Sequence, residues 1–231
     1  MGRPFKCIVA MPSTGFIRSA TAFAMTRLTA YFAQVRVFPE IPEQMLDFRL
    51  LEGSGISAGR ESLIFDALKT ADASHVLFID EDMGFNVDVL HIMARRRQPI
   101  VCCNYRMRVP PAEFTAMRID KQGRIETKAE SSGLEEAYYT GFGFALIARE
   151  VFESVAPPRF MIEWVNEAQT YTTEDHPFFR KARDEGGFAC YVDHDASKRV
   201  YHVGSVNYRW DMDYRGLAPR SQESVEVSHG E

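Results

Sequence analysis

The stretch His75-Val76-Leu77-Phe78-Ile79-Asp80-Glu81-Asp82-Met83 decides how this chain is read. A short apolar run, Val76 to Ile79, stops abruptly at three consecutive carboxylates. Such a run suits a strand buried on both faces, as in an open α/β sheet sandwiched between helices. In those sheets ligands bind beyond the carboxyl ends of the strands. Three acidic side chains at that place repel one another unless a positive charge sits among them. A divalent cation holding a phosphorylated ligand would supply it, because hard metals prefer carboxylate oxygens. Taken alone, the run also fits a solvated acidic turn.

The flanking sequence repeats the strand-then-helix rhythm. Phe5 to Met11 reads as a first strand closed by Pro12-Ser13-Thr14-Gly15, and Ser19 to about Ala33 as a helix with Phe23, Leu28 and Phe32 on one apolar face. Met45 to Leu51 is a second strand. Ser57 is placed to cap a helix from Ala58 to about Thr70. After the acidic run come a helix from about Asn86 to Arg97 and the strand Ile100 to Cys103. Alternation of this kind predicts a doubly wound, mostly parallel sheet. Arg95-Arg96-Arg97 reads as a helix end complementing its dipole.

The rhythm then changes. Val109-Pro110-Pro111 breaks the chain, Glu113 to Lys128 suggests a hairpin about Lys121-Gln122-Gly123, and Glu130 to Glu136 reads as a mobile polar segment. Tyr138 to Ile147 returns as one strand holding Gly141 and Gly143, a sign of close approach by a ligand or another backbone. A short helix starts at Arg149. Thr173 is placed to cap a helix from Glu174 to Glu185 that Gly186-Gly187 ends. Phe188 to Val192 and Arg199 to His202 read as strands, and Ala218 to Glu231 as a disordered polar tail. One domain over residues 1–217 is expected.

Composition narrows the setting. The 231 residues carry 45% hydrophobic side chains, enough for a well-buried core, and a formal net charge of −5 that argues against a general nucleic-acid-binding surface. Cys7, Cys102, Cys103 and Cys190 show no metal-type spacing and fit free thiols in a reducing cytoplasm. No apolar stretch reaches the length that crosses a bilayer, and the first residues are too briefly apolar for a signal peptide.

Three further features bear on chemistry. Glu174-Asp175 stands at a helix start, where carboxylates are favoured by the dipole whether or not they react. His202 ends a strand; an imidazole beside Asp80 and Asp82 would complete a manganese-like site. Arg60 falls in a helix's first turn, where its charge opposes the dipole and calls for a partner such as a diphosphate.

In their order these motifs resemble the GT-A glycosyltransferases, especially the family 2-like branch with its small bacterial and phage-type members. Asp80-Glu81-Asp82 matches the family's Asp-x-Asp, and Ala58-Gly59-Arg60-Glu61 loosely matches an Ala-Arg-Asn-like helix opening. Thr140 to Ile147 matches a Gly-rich segment, Glu174-Asp175 with the aromatic and basic helix after it a Glu-Asp motif, and His202-Val203-Gly204 a His-x-Gly. The resemblance spans about residues 5 to 205 and implies a Rossmann-like, mostly parallel sheet with a smaller antiparallel region. It further implies a UDP- or GDP-linked sugar donor, a hydroxyl acceptor and Mn²⁺ or Mg²⁺. Asp80, Asp82 and His202 would contact the metal, while Pro12, Thr14, Arg60, Asp80 and Glu81 would face the nucleotide. Asp175 would be the general base of an inverting displacement, with Gly141, Gly143 and Glu174 near donor sugar and acceptor. A nucleotidyltransferase of related fold ranks lower, because Met11 to Phe16 lacks the basic Gly-rich loop such enzymes carry. A non-catalytic nucleotide- or carbohydrate-binding module of the same fold is the other alternative. Gly59, Glu61 and His176-Pro177 depart from the family pattern, and residues 106–136 have no counterpart in it.

Overall fold

The structure is a computed structural model that describes residues 4–109, 111–166 and 169–214. The stretch read as a tail, 218–231, lies outside the described residues.

The chain opens with β1 (Phe5–Ser13), α1 (Ser19–Gln34), β2 (Gln44–Glu52), α2 (Ile56–Lys69) and β3 (His75–Ile79). β1 pairs in parallel with both β2 and β3, so α1 and α2 are the crossovers that parallel pairing demands. There follow β4 (Met83–Phe85), α3 (Val89–Arg95), β5 (Ile100–Cys102), β6 (Met117–Arg118), β7 (Leu134–Tyr139), β8 (Phe144–Ala148) and α4 (Arg149–Ser154). The last third contains β9 (Trp164–Val165), β10 (Thr170–Tyr171), α5 (Asp175–Gly186), β11 (Cys190–Asp193), α6 (His194–Ser197), β12 (Val200–Val203) and β13 (Asn207–Tyr208).

Among the described residues the main sheet has eight strands in the order β2-β1-β3-β8-β5-β11-β7-β6. β8 runs against both its neighbours and β7 against both of its own, while the other strands share one direction. A three-stranded antiparallel sheet, β13-β12-β4, stands beside it. This is the expected architecture: a mostly parallel sheet flanked by helices, with a smaller antiparallel region.

Strand alternation divides the core in two. Ile8, Ala10, Val76 and Phe78 join Leu63, Ile64, Phe152 and Phe178 on one face. Cys7, Val9, Met11, Leu77 and Ile79 join Leu28, Leu90 and Met93 on the other. Both faces of β1 and β3 are thus covered, which is why their sequences are almost uninterruptedly apolar. All four cysteines are buried free thiols.

Several expectations need correction. Tyr138 to Ile147 is not one strand: β7 and β8 lie apart, with β5 and β11 between them. The polar Glu130–Glu136 segment leads into β7, whose Leu134 and Glu135 pair with β11. The helix expected from Asn86 is shorter, because β4 precedes it and the Asn86 amide is taken by the Arg199 carbonyl at 2.9 Å. Ser57 does not cap α2, where Gly55 holds the N-cap position, and no Thr173 cap forms on α5, whose N-cap residue is Glu174. Phe23, expected on the apolar face of α1, is 65% exposed. Gly187 does end α5 as expected, in the left-handed region at φ 71°.

Candidate active site

β3 delivers the acidic triplet to the carboxyl edge of the sheet, but the chain does not remain extended there. The Met83 amide donates to the Asp80 carbonyl at 3.2 Å and closes a turn. Asp80 and Asp82 therefore do not project side by side, and the three carboxylates take three separate sets of partners. Asp80 accepts from Arg60 at 2.8 Å. Glu81 accepts from the Ser13 hydroxyl at 2.7 Å, the Thr14 hydroxyl at 2.6 Å and the Thr14 amide at 2.9 Å, fixing the loop after β1. Although burial disfavours the Glu81 charge, those hydrogen bonds outweigh it and hold the carboxyl below its usual range.

Asp82 meets His202 across the small sheet. β12 pairs with β4 so that His202 stands opposite Met83, and the His202 Nε2 lies 3.2 Å from the Asp82 carboxylate. The other ring nitrogen, Nδ1, is 3.3 Å from the Arg106 carbonyl. An Nε2–H is what lets the ring donate to Asp82; a bound cation would take that proton's place on Nε2, with Nδ1–H held by the Arg106 carbonyl. Arg108 donates to the second Asp82 oxygen. Burial raises the Asp82 pKa, but His202 and Arg108 together carry it below the ordinary value. Among the described residues no group of three or more His, Cys, Asp or Glu is gathered for a metal. Asp82 and His202 nevertheless form a carboxylate–imidazole pair, a donor set suited to a divalent cation whose other ligands are phosphate and water. Asp80 is turned away to Arg60. Pro12, Thr14, Glu81, Asp82, Arg108 and His202 border one cleft of about 260 Å³, with Asp80 also in its wall.

Arg60 is not in that cleft. It is 2% exposed, and its guanidinium is shared by Asp80, Glu174 and Asp175, with Cζ 5.1 Å from the centre of the Phe142 ring. Burial opposes its charge, but Asp80, Asp175 and Glu174 outweigh that and push its pKa up. The charge partner that its position called for is thus supplied by the chain, while its buried Nε has no hydrogen-bond partner. Glu174 is likewise buried against Arg60, away from the cleft surfaces.

Asp175, the first residue of α5, opens onto a second cleft of about 560 Å³. Its side chain is 17% exposed and lies 3.3 Å from Arg60. Burial pushes its pKa up to about 8; Arg60 pulls against that shift, while Glu174 and Asp80 add to it. His202 borders both clefts, so the two meet at its ring. Gly141 and Gly143 stand beside the second cleft for a reason other than the one expected. A Cβ on either would fall 2.4 Å and 2.5 Å, respectively, from the hydroxyl of buried Tyr105, which accepts from the Gly143 amide at 2.8 Å. The space their missing side chains leave is occupied by tyrosine; Gly141 alone of the two lines the cleft.

Sequence reasoning missed Arg108 and Tyr105. Arg108 lies in the stretch without a family counterpart, and Tyr105 is a lone aromatic after a strand. Ser13 sat within the expected Pro12–Thr14 border, but its tie to Glu81 carries no local signal.

No known protein family matches this chain, and no curated protein sequence does. Solved structures do. A197 from STIV aligns over 87% of this chain and 86% of its own length, with 18% identity and a TM-score of 0.56. S. aureus TarS 1–349 aligns over 86% of this chain and 60% of its own, at 12% identity and a TM-score of 0.47. GalNAc-T7, solved with UDP, GalNAc and Mn²⁺, aligns over 88% of this chain and 44% of its own, at 9% identity and a TM-score of 0.48. This chain thus spans less than two thirds of TarS 1–349 and less than half of GalNAc-T7 as solved. The likeness to A197 from STIV establishes a shared fold.

Proposed function

We propose that this chain is a GT-A glycosyltransferase of the family 2-like type, moving a sugar from a UDP- or GDP-linked donor to an acceptor hydroxyl with inversion. The observation that carries the reading is the meeting of two clefts at His202. Charged groups suited to phosphate border one, and a carboxylate suited to proton abstraction borders the other.

Asp82 and His202 would hold Mn²⁺ or Mg²⁺, which when bound supplies Lewis-acid neutralisation of the departing diphosphate. Arg108 adds a fixed positive charge on the same side. Pro12 and Thr14, braced by Glu81, border the nucleotide. Asp175 takes the proton of the acceptor hydroxyl as that oxygen attacks the anomeric carbon, and the bonding pair leaves with the diphosphate. A base poised near neutrality suits this step. Arg60 orients Asp175 from behind and spends none of its hydrogen bonds on substrate.

The test is nucleoside-diphosphate release from UDP- and GDP-hexoses with Mn²⁺. Asp175→Asn is expected to lose on the order of a hundredfold or more in turnover while keeping nucleotide binding. Normal turnover in that variant would remove Asp175 as the base.

A further inference from the structure

The larger cleft has a construction that points to its occupant. Its volume, about 560 Å³, lies in the range of sites that enclose a small molecule. One wall is a run of rings: the His176 ring centre lies 4.9 Å from that of Tyr139 and 5.4 Å from that of Tyr138. Tyr171 borders the cleft as well and is 65% exposed. Three cations lie over these rings, two of them in the cleft lining; the third, Arg183, has its Cζ 4.7 Å from the Tyr138 ring centre. Lys121 Nζ is 4.3 Å from the Tyr138 ring centre, and Arg124 Cζ is 5.7 Å from that of Tyr139.

The two cations of the lining are not equally engaged. Arg124 donates to the Thr115 carbonyl at 2.9 Å and the Tyr139 hydroxyl at 3.2 Å, and approaches Glu113 at 3.7 Å. Lys121 has its ring contact and, among the described residues, no carboxylate within ion-pair distance. Asp175 is the one carboxyl in the lining, and Arg60 stands 3.3 Å from it. A chain of net charge −5 thus sets two cations against one carboxyl in the cleft beside the candidate base.

We infer that the acceptor is an anionic saccharide, with a sugar face on the exposed Tyr171 ring and a carboxylate or phosphate at Lys121 and Arg124. Aromatic faces take the apolar side of a small ring, and Arg and Lys take the anion. The identification as acceptor rests on the proposed glycosyl transfer; the binding site itself does not. A nucleic-acid strand, which also combines rings and phosphates, is disfavoured by the net negative charge of the chain.

The test titrates glucose, glucuronate, glucose 6-phosphate and a short oligothymidylate into the full chain and its Lys121→Gln variant, with UDP and GDP titrated in parallel. At least one anionic sugar is expected to bind roughly tenfold tighter than glucose, with Lys121→Gln removing most of that difference. Nucleotide affinity and the urea midpoint should stay unchanged. The ranking of glucuronate against glucose 6-phosphate identifies the anion. Equal affinity for all three sugars, no sugar binding, or preference for the oligonucleotide would overturn the inference. Anionic preference without binding of either nucleotide would leave the saccharide site standing and remove the transferase reading, so the two failures are distinguishable.

Discussion

A carboxyl buried beside two others keeps its proton unless enough positive charge answers all three. Asp175 shares one guanidinium, that of Arg60, with Asp80 and Glu174. Burial first, then its acidic neighbours against the pull of Arg60, lifts it from 3.8 to about 8. Because the folded value exceeds the unfolded one, the protonated form stabilises the fold. That contribution is complete below the unfolded value and is lost as pH rises through the folded one. Asp175→Asn cannot ionise, so it should lose less stability than wild type between about pH 4 and about pH 8. The expected difference is on the order of a few kcal/mol, read from urea unfolding in chelator. Parallel pH profiles for the two proteins would contradict the environment assigned to Asp175. Its candidacy was legible from the Glu-Asp pair at a helix start. That one arginine would face three carboxylates was not, because residues 60, 80 and 174 meet only in the folded sheet.

At the scale of elements, the position of Asp175 depends on how α5 is seated. Phe178, three residues on, is fully buried; its ring stacks on Phe160 at 5.1 Å and meets Phe142 edge-on at 4.9 Å. Phe178→Ala should cost about 3–5 kcal/mol in urea unfolding, since the ring leaves a cavity among other rings that cannot close on it. A loss below about 1 kcal/mol would show that α5 is not anchored there. The strands and helices from β1 to β5 were largely legible, each strand being a short apolar run and each helix a longer mixed segment. β7 and β8 were not separated, because Tyr138 to Ile147 is continuously apolar and glycine-bearing. Where the two strands part, Tyr105 packs against Gly141 and Gly143 from a distant part of the chain. The pairing of β12 with β4, which brings His202 to Asp82, is equally non-local.

For the molecule as a whole, the sheet edge carries two clefts of opposite character joined at one imidazole. The residues of the side proposed to face phosphate stood in the sequence as an ordered set of motifs. Arg108 in its wall and the cationic aromatic wall opposite were not, since both draw on the 106–139 region where the family pattern gives no guide. Among the described residues no helix is long and apolar enough to cross a membrane. In the proposed function Asp82 and His202 form a cation-assisted diphosphate site. Calorimetric titration of UDP and GDP, each with and without Mn²⁺, into wild type and Asp82→Ala tests it most directly. The account predicts binding of one nucleotide that requires Mn²⁺ and is lost in Asp82→Ala. Binding unaffected by the substitution, or no binding of either nucleotide under any condition, would contradict it.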